Sequence, residues 1–110
     1  MAEMKTKKNA AEGQFSEKVY KLTKRIPEGK ITTYKEIAKA LKTRAYRAVG
    51  NALNKNPSPI VVPCHRVVKS DGRVGGFALG ANNKIQLLRK EGIRIKNSRI
   101  VDFEKKLFRF

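Results

Sequence analysis

Apolar residues recurring at helical spacing, a short break between two such runs, and a β-branched stretch set among prolines and glycines predict a mainly α fold. The expected architecture is a helix-turn-helix, winged-helix-like domain with a small β-hairpin and a C-terminal helix. At 110 residues the chain is one domain's worth, long enough for a single modest core. Residues 1–13 are polar, small and lysine-rich, which predicts a flexible basic arm ahead of one compact unit over 14–110.

The first helix follows from Phe15, Val19, Leu22 and Ile26, spaced four, three and four apart and stopped by "PEG". In "ITTYKEIAKALK", Thr32 or Thr33 is the N-cap, and Tyr34, Ile37, Ala38 and Leu41 share one face. A break near Thr43 leads into "RAYRAVGNALNK". There Ala45, Val49, Ala52 and Leu53 face inward, while Arg47, Gly50, Asn51 and Asn54 form a small, polar, basic outer face. Glycine inside a helix costs about 1 kcal/mol relative to alanine, so Gly50 suggests the close approach of another backbone. Pro57 and Pro59 end the helix, and Ile60, Val61 and Val62 form a short buried run. "VVKSDGRV" reads as a hairpin with Ser70, Asp71 and Gly72 in its turn, and a final helix over Asn82–Lys90 stops at Gly92. The tail from residue 93 alternates weakly and receives no assignment.

The charge balance narrows the partners. Lys and Arg number 26 against 9 Asp and Glu, a formal net charge of +17 that draws polyanions, nucleic acid first among them, although a solubilising or ribosome-associated surface has the same composition. No window approaches the apolar length of a membrane span, and the N-terminus lacks the apolar run of a secretory signal, which predicts a cytoplasmic protein. A single cysteine and a single histidine supply neither an internal disulfide nor an ordinary zinc site, so no metal or cofactor is expected.

Those two residues are adjacent, Cys64 and His65 in "PIVVPCHRVVKSDGRVGGF". Read alone, Cys64 behind an apolar run and a proline is as compatible with a buried structural cysteine as with a nucleophile. Activation needs a base or a helix N-terminus to form the thiolate, and neighbouring side chains diverge, so His65 would act through a water.

"PCHRV" preceded by "NPSPIVV" and followed by "GRVGGF", with "RAVGNAL" upstream and "LLRKEG" downstream, resembles the C-terminal domain of O6-alkylguanine-DNA alkyltransferases, the methylated-DNA–protein-cysteine methyltransferases. The resemblance runs from about Phe15 to Ile95. It implies that Cys64 accepts an alkyl group from O6-alkylguanine in double-stranded DNA, once and irreversibly, with His65 as base, Glu91 orienting that histidine, and Asn56 tying the recognition helix to the cysteine segment. It also implies minor-groove binding with the damaged base flipped out, little sequence specificity, and a monomer. Arg47 then enters the base stack, and Ala48, Gly50, Asn51 and Thr33 contact DNA. Tyr34 donates to the flipped guanine, the carbonyl at Val67 accepts from its amino group, an amide at Ala78 donates to O6, and Gly75, Gly76 and Phe77 wall the pocket.

Phe77 stands where many relatives have tyrosine, and Ala78 where some have serine. A single domain without the companion N-terminal domain that most relatives carry is expected, an arrangement similar to that of alkyltransferase-like proteins, which bind the lesion without transfer and have another residue, commonly tryptophan, at the cysteine position. Cys64 therefore favours transfer over a lesion sensor, and the ordered motifs place a general DNA-coating role far behind both.

Overall fold

The computed structural model describes residues 2–77 and 79–110, with side chains from residue 13 onward. Helix α1 spans Ala2–Lys24, so helical backbone begins well before Phe15, over residues where a flexible arm was expected. Alanine, lysine, glutamate and glutamine in that stretch are good helix formers. The buried part matches the apolar spacing: Phe15, Val19, Tyr20 and Leu22 join the first core cluster, and the Tyr20 hydroxyl donates to the Ala52 carbonyl at 2.7 Å.

Strand β1 (Thr32–Thr33) runs directly into helix α2 (Tyr34–Ala40). Thr33 is the N-cap, its Oγ1 accepting from the Glu36 amide at 3.0 Å, a contact worth about 1 kcal/mol. The link to helix α3 (Tyr46–Asn54) turns through Lys42 at φ +57° and is closed by Thr43 N–H to Ala38 O at 3.0 Å, completing the helix-turn-helix. Val49, Ala52 and Leu53 face inward as the sequence predicts, but Ala45 is exposed, because it is the N-cap of α3 rather than part of the helix.

The hairpin expected at Val67–Val74 does not form. Strand β2 (Val67–Val68) instead pairs in parallel with β1, Thr32 opposite Val67 and Thr33 opposite Val68, and all four residues are buried. Only a tight turn remains downstream, with Lys69 N–H donating to Arg73 O at 2.9 Å. This pairing sets the end of β1, and hence Tyr34, beside the segment that follows the cysteine. The hairpin lies in the unassigned tail, between β3 (Ile95–Lys96) and β4 (Arg99–Ile100), where Asn97 and Ser98 both adopt positive φ as a two-residue turn requires. A short helix α5 (Phe103–Lys106) follows, and the chain end lies along Ile31, with Phe108 N–H to Ile31 O at 2.7 Å.

Helix α4 (Ala81–Lys90) ends in a Schellman motif: Ile93 N–H donates to Leu88 O and Gly92 N–H to Arg89 O, both at 3.0 Å, with Gly92 at φ +87°. Leu88 and Ile93 then bury together in a second core cluster with Ile31, Val68 and Val74. The motif fixes Glu91 as the helix C-cap. Gly92→Ala meets no steric neighbour but must hold a left-handed backbone, so we expect a loss of roughly 1–2 kcal/mol in urea denaturation; unchanged stability would show that the motif does not constrain this end of α4.

Candidate active site

Cys64 opens a single 3-10 turn, Cys64–Arg66, between α3 and β2. Its thiol is buried within the first core cluster. Asn56 reaches it from the end of α3: Nδ2 donates to Val62 O at 3.0 Å and approaches Cys64 Sγ at 3.4 Å, while Oδ1 accepts from the Ser58 amide at 2.9 Å. One buried amide thus braces the Pro57–Pro63 loop and touches the Cys64 thiol; of the Ile60–Val62 run expected to be buried there, only Val62 is, Ile60 and Val61 being exposed.

His65 is 1% exposed and its ring is held from one side only. Nε2 lies 3.0 Å from Glu91 Oε2, and Nδ1 is buried without a partner among the described residues. A carboxylate accepts from Nε2–H, which leaves the Nδ1 lone pair as the basic site. Burial, opposed by the Glu91 contact and helped by the charges of Arg66 and Lys84, holds the imidazole below its ordinary pKa and so keeps it neutral. The edge of Phe77 packs against it, ring centroids 6.4 Å apart.

Glu91 would normally suffer at a helix C-terminus, where the dipole is negative. Arg66 supplies the compensation as a fork, Nε to Oε1 at 2.9 Å and Nη2 to Oε2 at 2.6 Å, and its Nη1 donates to Ile26 O at 2.8 Å. Burial favours the protonated carboxyl, but the hydrogen bonds from Arg66 and His65 outweigh it and hold Glu91 below the usual carboxylate range. Arg66 was not legible as a site residue, since nothing in its spacing separates it from a surface arginine.

Lys84 is the other residue the sequence reading missed, and it is fully buried on α4. Its Nζ donates to Val67 O at 2.6 Å and to Gly76 O at 3.0 Å, stapling the strand after the cysteine to the glycine loop. Burial pushes its pKa down to about 7, against a smaller opposing influence from Cys64. A signal was available: Lys84 stands one turn before Leu88, on the face that must go inward. The Val67 carbonyl, expected to accept from guanine, accepts from Lys84 here.

Tyr34, Arg47, Gly50, Asn51, Asn54 and Gly76 line one open cleft of about 490 Å³. Burial, then the proximity of Cys64, raises the Tyr34 pKa and keeps the phenol a donor. Gly75, at φ +75°, lies against Lys69 and the Tyr34 hydroxyl, so a side chain there would be strained. Among the described residues, no atom beyond Gly50's own stretch of helix comes within 4 Å of a Cβ built there, so the expected close approach is not made by that part of the chain; Gly50 lines the cleft instead. Arg47 and Asn51 are exposed and Ala48 is half-buried beside them. Thr33, expected among the DNA contacts, is buried and committed to capping α2. Ala78 lies outside the described residues.

A helix-turn-helix packed on a segment that holds a buried cysteine, a neutral imidazole and an ion-paired carboxylate defines a thiol-bearing helix-turn-helix domain. The family profile described as "6-O-methylguanine DNA methyltransferase, DNA binding domain" matches residues 14–93, and the chain belongs to that family. It is 51% identical over 86 residues to the methylated-DNA–protein-cysteine methyltransferase of Methanosarcina barkeri, covering 76% of this chain and 54% of that protein. It resembles the crystal structure of O6-methylguanine-DNA methyltransferase from Pyrococcus kodakaraensis, with TM-score 0.66 and 51% identity over 72% of this chain and 46% of that one. The chain thus spans about half the length of the curated methyltransferases it matches. S. pombe Atl1, in complex with damaged DNA containing O6-carboxymethylguanine, matches with TM-score 0.79 and 28% identity, over 89% of this chain and 97% of that one.

Lys84 has a measurable signature. In the unfolded chain its pKa is near 10.5 and in the fold about 7, so between these values the unfolded state binds more protons and stability must rise with pH. We expect this lysine to add roughly 2 kcal/mol between pH 7 and pH 9. Urea denaturation at both values should show a steeper rise for the wild type than for Lys84→Met; equal slopes would contradict a buried, readily deprotonated amine.

Proposed function

We propose that this protein repairs DNA by transferring the alkyl group of O6-alkylguanine to Cys64, irreversibly and once per molecule, acting as a monomer on flipped-out guanine. The observation that carries the reading is the relay: a buried thiol braced by Asn56, followed by an imidazole whose Nε2 is tied to Glu91 and whose Nδ1 has no partner among the described residues. Family membership supports the substrate class.

In this reading the Cys64 proton passes through a water to His65 Nδ1, because adjacent side chains on a tight turn diverge. The imidazolium is stabilised by the Glu91 carboxylate, as an oriented base requires. The thiolate attacks the alkyl carbon in line, the S–C bond forms as the C–O6 bond breaks, and the electron pair stays on guanine. Tyr34, whose phenol is kept protonated, donates to the departing base, and donors aimed at developing negative charge lower the barrier. A thioether is a poor leaving group, so the thiol does not return.

Arg47 and Gly50 border the cleft in which the flipped nucleotide would sit, with the small Ala48 between them in sequence, and Arg47 fills the gap in the stack. Flipping costs a few kcal/mol, offset in part by contacts from a surface with net charge +17 to the phosphates. A helix lying in the minor groove reads little sequence, which suits a protein that must find damage anywhere. Such a substrate implies an intracellular location; among the described residues no helix is long and apolar enough to cross a membrane.

One observation favours a second reading, lesion binding without transfer: the match to Atl1 spans nearly all of that chain. Intact-mass analysis after incubation with duplex DNA containing O6-methylguanine separates the two. We expect a gain of one methylene unit per molecule, confined to the Cys64 peptide and abolished in Cys64→Ser. Binding without the mass gain would replace transfer by lesion sensing.

A further inference from the structure

A second concave surface lies outside the transfer site. Between the exposed side of α2 and the start of α3, a cleft of about 430 Å³ is lined by Lys35, Lys39, Lys42, Thr43, Arg44 and Tyr46. No carboxylate lines it. Among the described residues none of its four cations takes part in an ion pair, whereas Glu36 is occupied by Arg109 and Asp71 by Arg73. Four unpaired cations around one hollow repel each other in the free protein, and a polyanion relieves that repulsion while releasing counterions.

Tyr46 adds what phosphate binding alone does not need. It is the first residue of α3, next to Arg47, and it is 44% exposed, with no hydrogen-bond partner for its hydroxyl among the described residues. Its ring contributes to neither core cluster. An aromatic face held in the open among cations is the arrangement on which nucleobases stack without regard to sequence. The neighbouring cleft, about 450 Å³, shares Lys35 and Tyr46 and reaches Tyr34, which also lines the cleft beneath Arg47. A strand leaving the flipped nucleotide therefore has a path to Tyr46 bordered by Arg47, Lys69 and Lys35, with the Asp71 carboxylate beside it held by Arg73.

We propose that the α2–α3 cleft is a nucleotide-binding site of its own, in which an unstacked base lies on the Tyr46 ring and its flanking phosphates engage Lys35, Lys39, Lys42 and Arg44. The proposal rests on DNA being the partner. It predicts that single-stranded, undamaged DNA is held by stacking as well as by charge.

The test is fluorescence anisotropy of a labelled single-stranded oligothymidylate titrated with the intact protein over a range of salt concentrations. Tyr46→Ala should weaken binding about tenfold with an unchanged salt slope, and Tyr46→Phe should stay within about twofold of wild type, since the stack needs the ring and not the hydroxyl. Replacing Lys35, Lys39, Lys42 and Arg44 together by glutamine should flatten the salt slope by roughly 0.7 for each phosphate no longer neutralised. Equal affinity for Tyr46→Ala and wild type, or an unchanged slope in the glutamine variant, overturns the proposal. Methyl transfer by the wild type, measured in parallel, keeps the two readings apart: transfer with no Tyr46 effect removes this site and leaves the repair activity standing.

Discussion

The Glu91 carboxylate is the constraint on which the site depends. It sits at the C-cap of α4, an unfavourable place for a negative charge, and is held there because the Schellman turn at Gly92 leaves the helix no other end and because Arg66 answers it with two hydrogen bonds. Its Oε2 also meets His65 Nε2. One carboxylate therefore settles the orientation of the only histidine, selects which ring nitrogen is protonated, and links α4 to the turn that carries Cys64. Arg66 extends the same network to the segment after α1 through Ile26 O. Burial keeps the imidazole neutral against the pull of Glu91, and the Arg66 charge adds to that in smaller measure, so the ring is oriented by a carboxylate without being protonated by it.

A second staple works beside the first. Lys84 joins Val67 to Gly76, so the strand following the cysteine and the loop beyond it are tied to the same buried amine. The parallel pairing of β1 with β2 brings Tyr34 to the same place from the other direction. Three local devices, a capped helix, a two-residue strand pair and a buried amine, converge on a thiol that is itself part of the core. Placing the thiol inside the core cluster ties the proposed transfer to packing: an alkyl group added at Sγ would have to be accommodated against Asn56 and its neighbours, at a site where even a methylene matters.

The helices were legible because their signals are local. The spacing of Val19 with Ile26, of Ile37 with Ala38, and of Val49 with Leu53 gives the inward faces, Thr33 caps as its type and position suggest, and Gly92 stops α4. Strand pairing was not, because it is decided between distant segments. Val67–Val68 alternates with nothing around it, and its partner is Thr32–Thr33, residues read as a cap; the true hairpin turn is Asn97–Ser98, weaker in sequence than the Ser-Asp-Gly run that reads as one. At the site, Cys64, His65, Glu91 and Asn56 came from motif resemblance and meet in space. Arg66 and Lys84 carry no such mark, since an arginine and a lysine in a chain with 26 of them are read as surface until packing shows otherwise.

His65 being the only histidine makes the central claim directly observable. Long-range proton–nitrogen correlation NMR on the nitrogen-15-labelled protein at pH 7 reports the tautomer and charge of that one ring. The account predicts a neutral imidazole protonated at Nε2, with an unprotonated Nδ1. An imidazolium, or a ring protonated at Nδ1, would contradict it, because neither leaves a lone pair on the nitrogen that has to take the Cys64 proton.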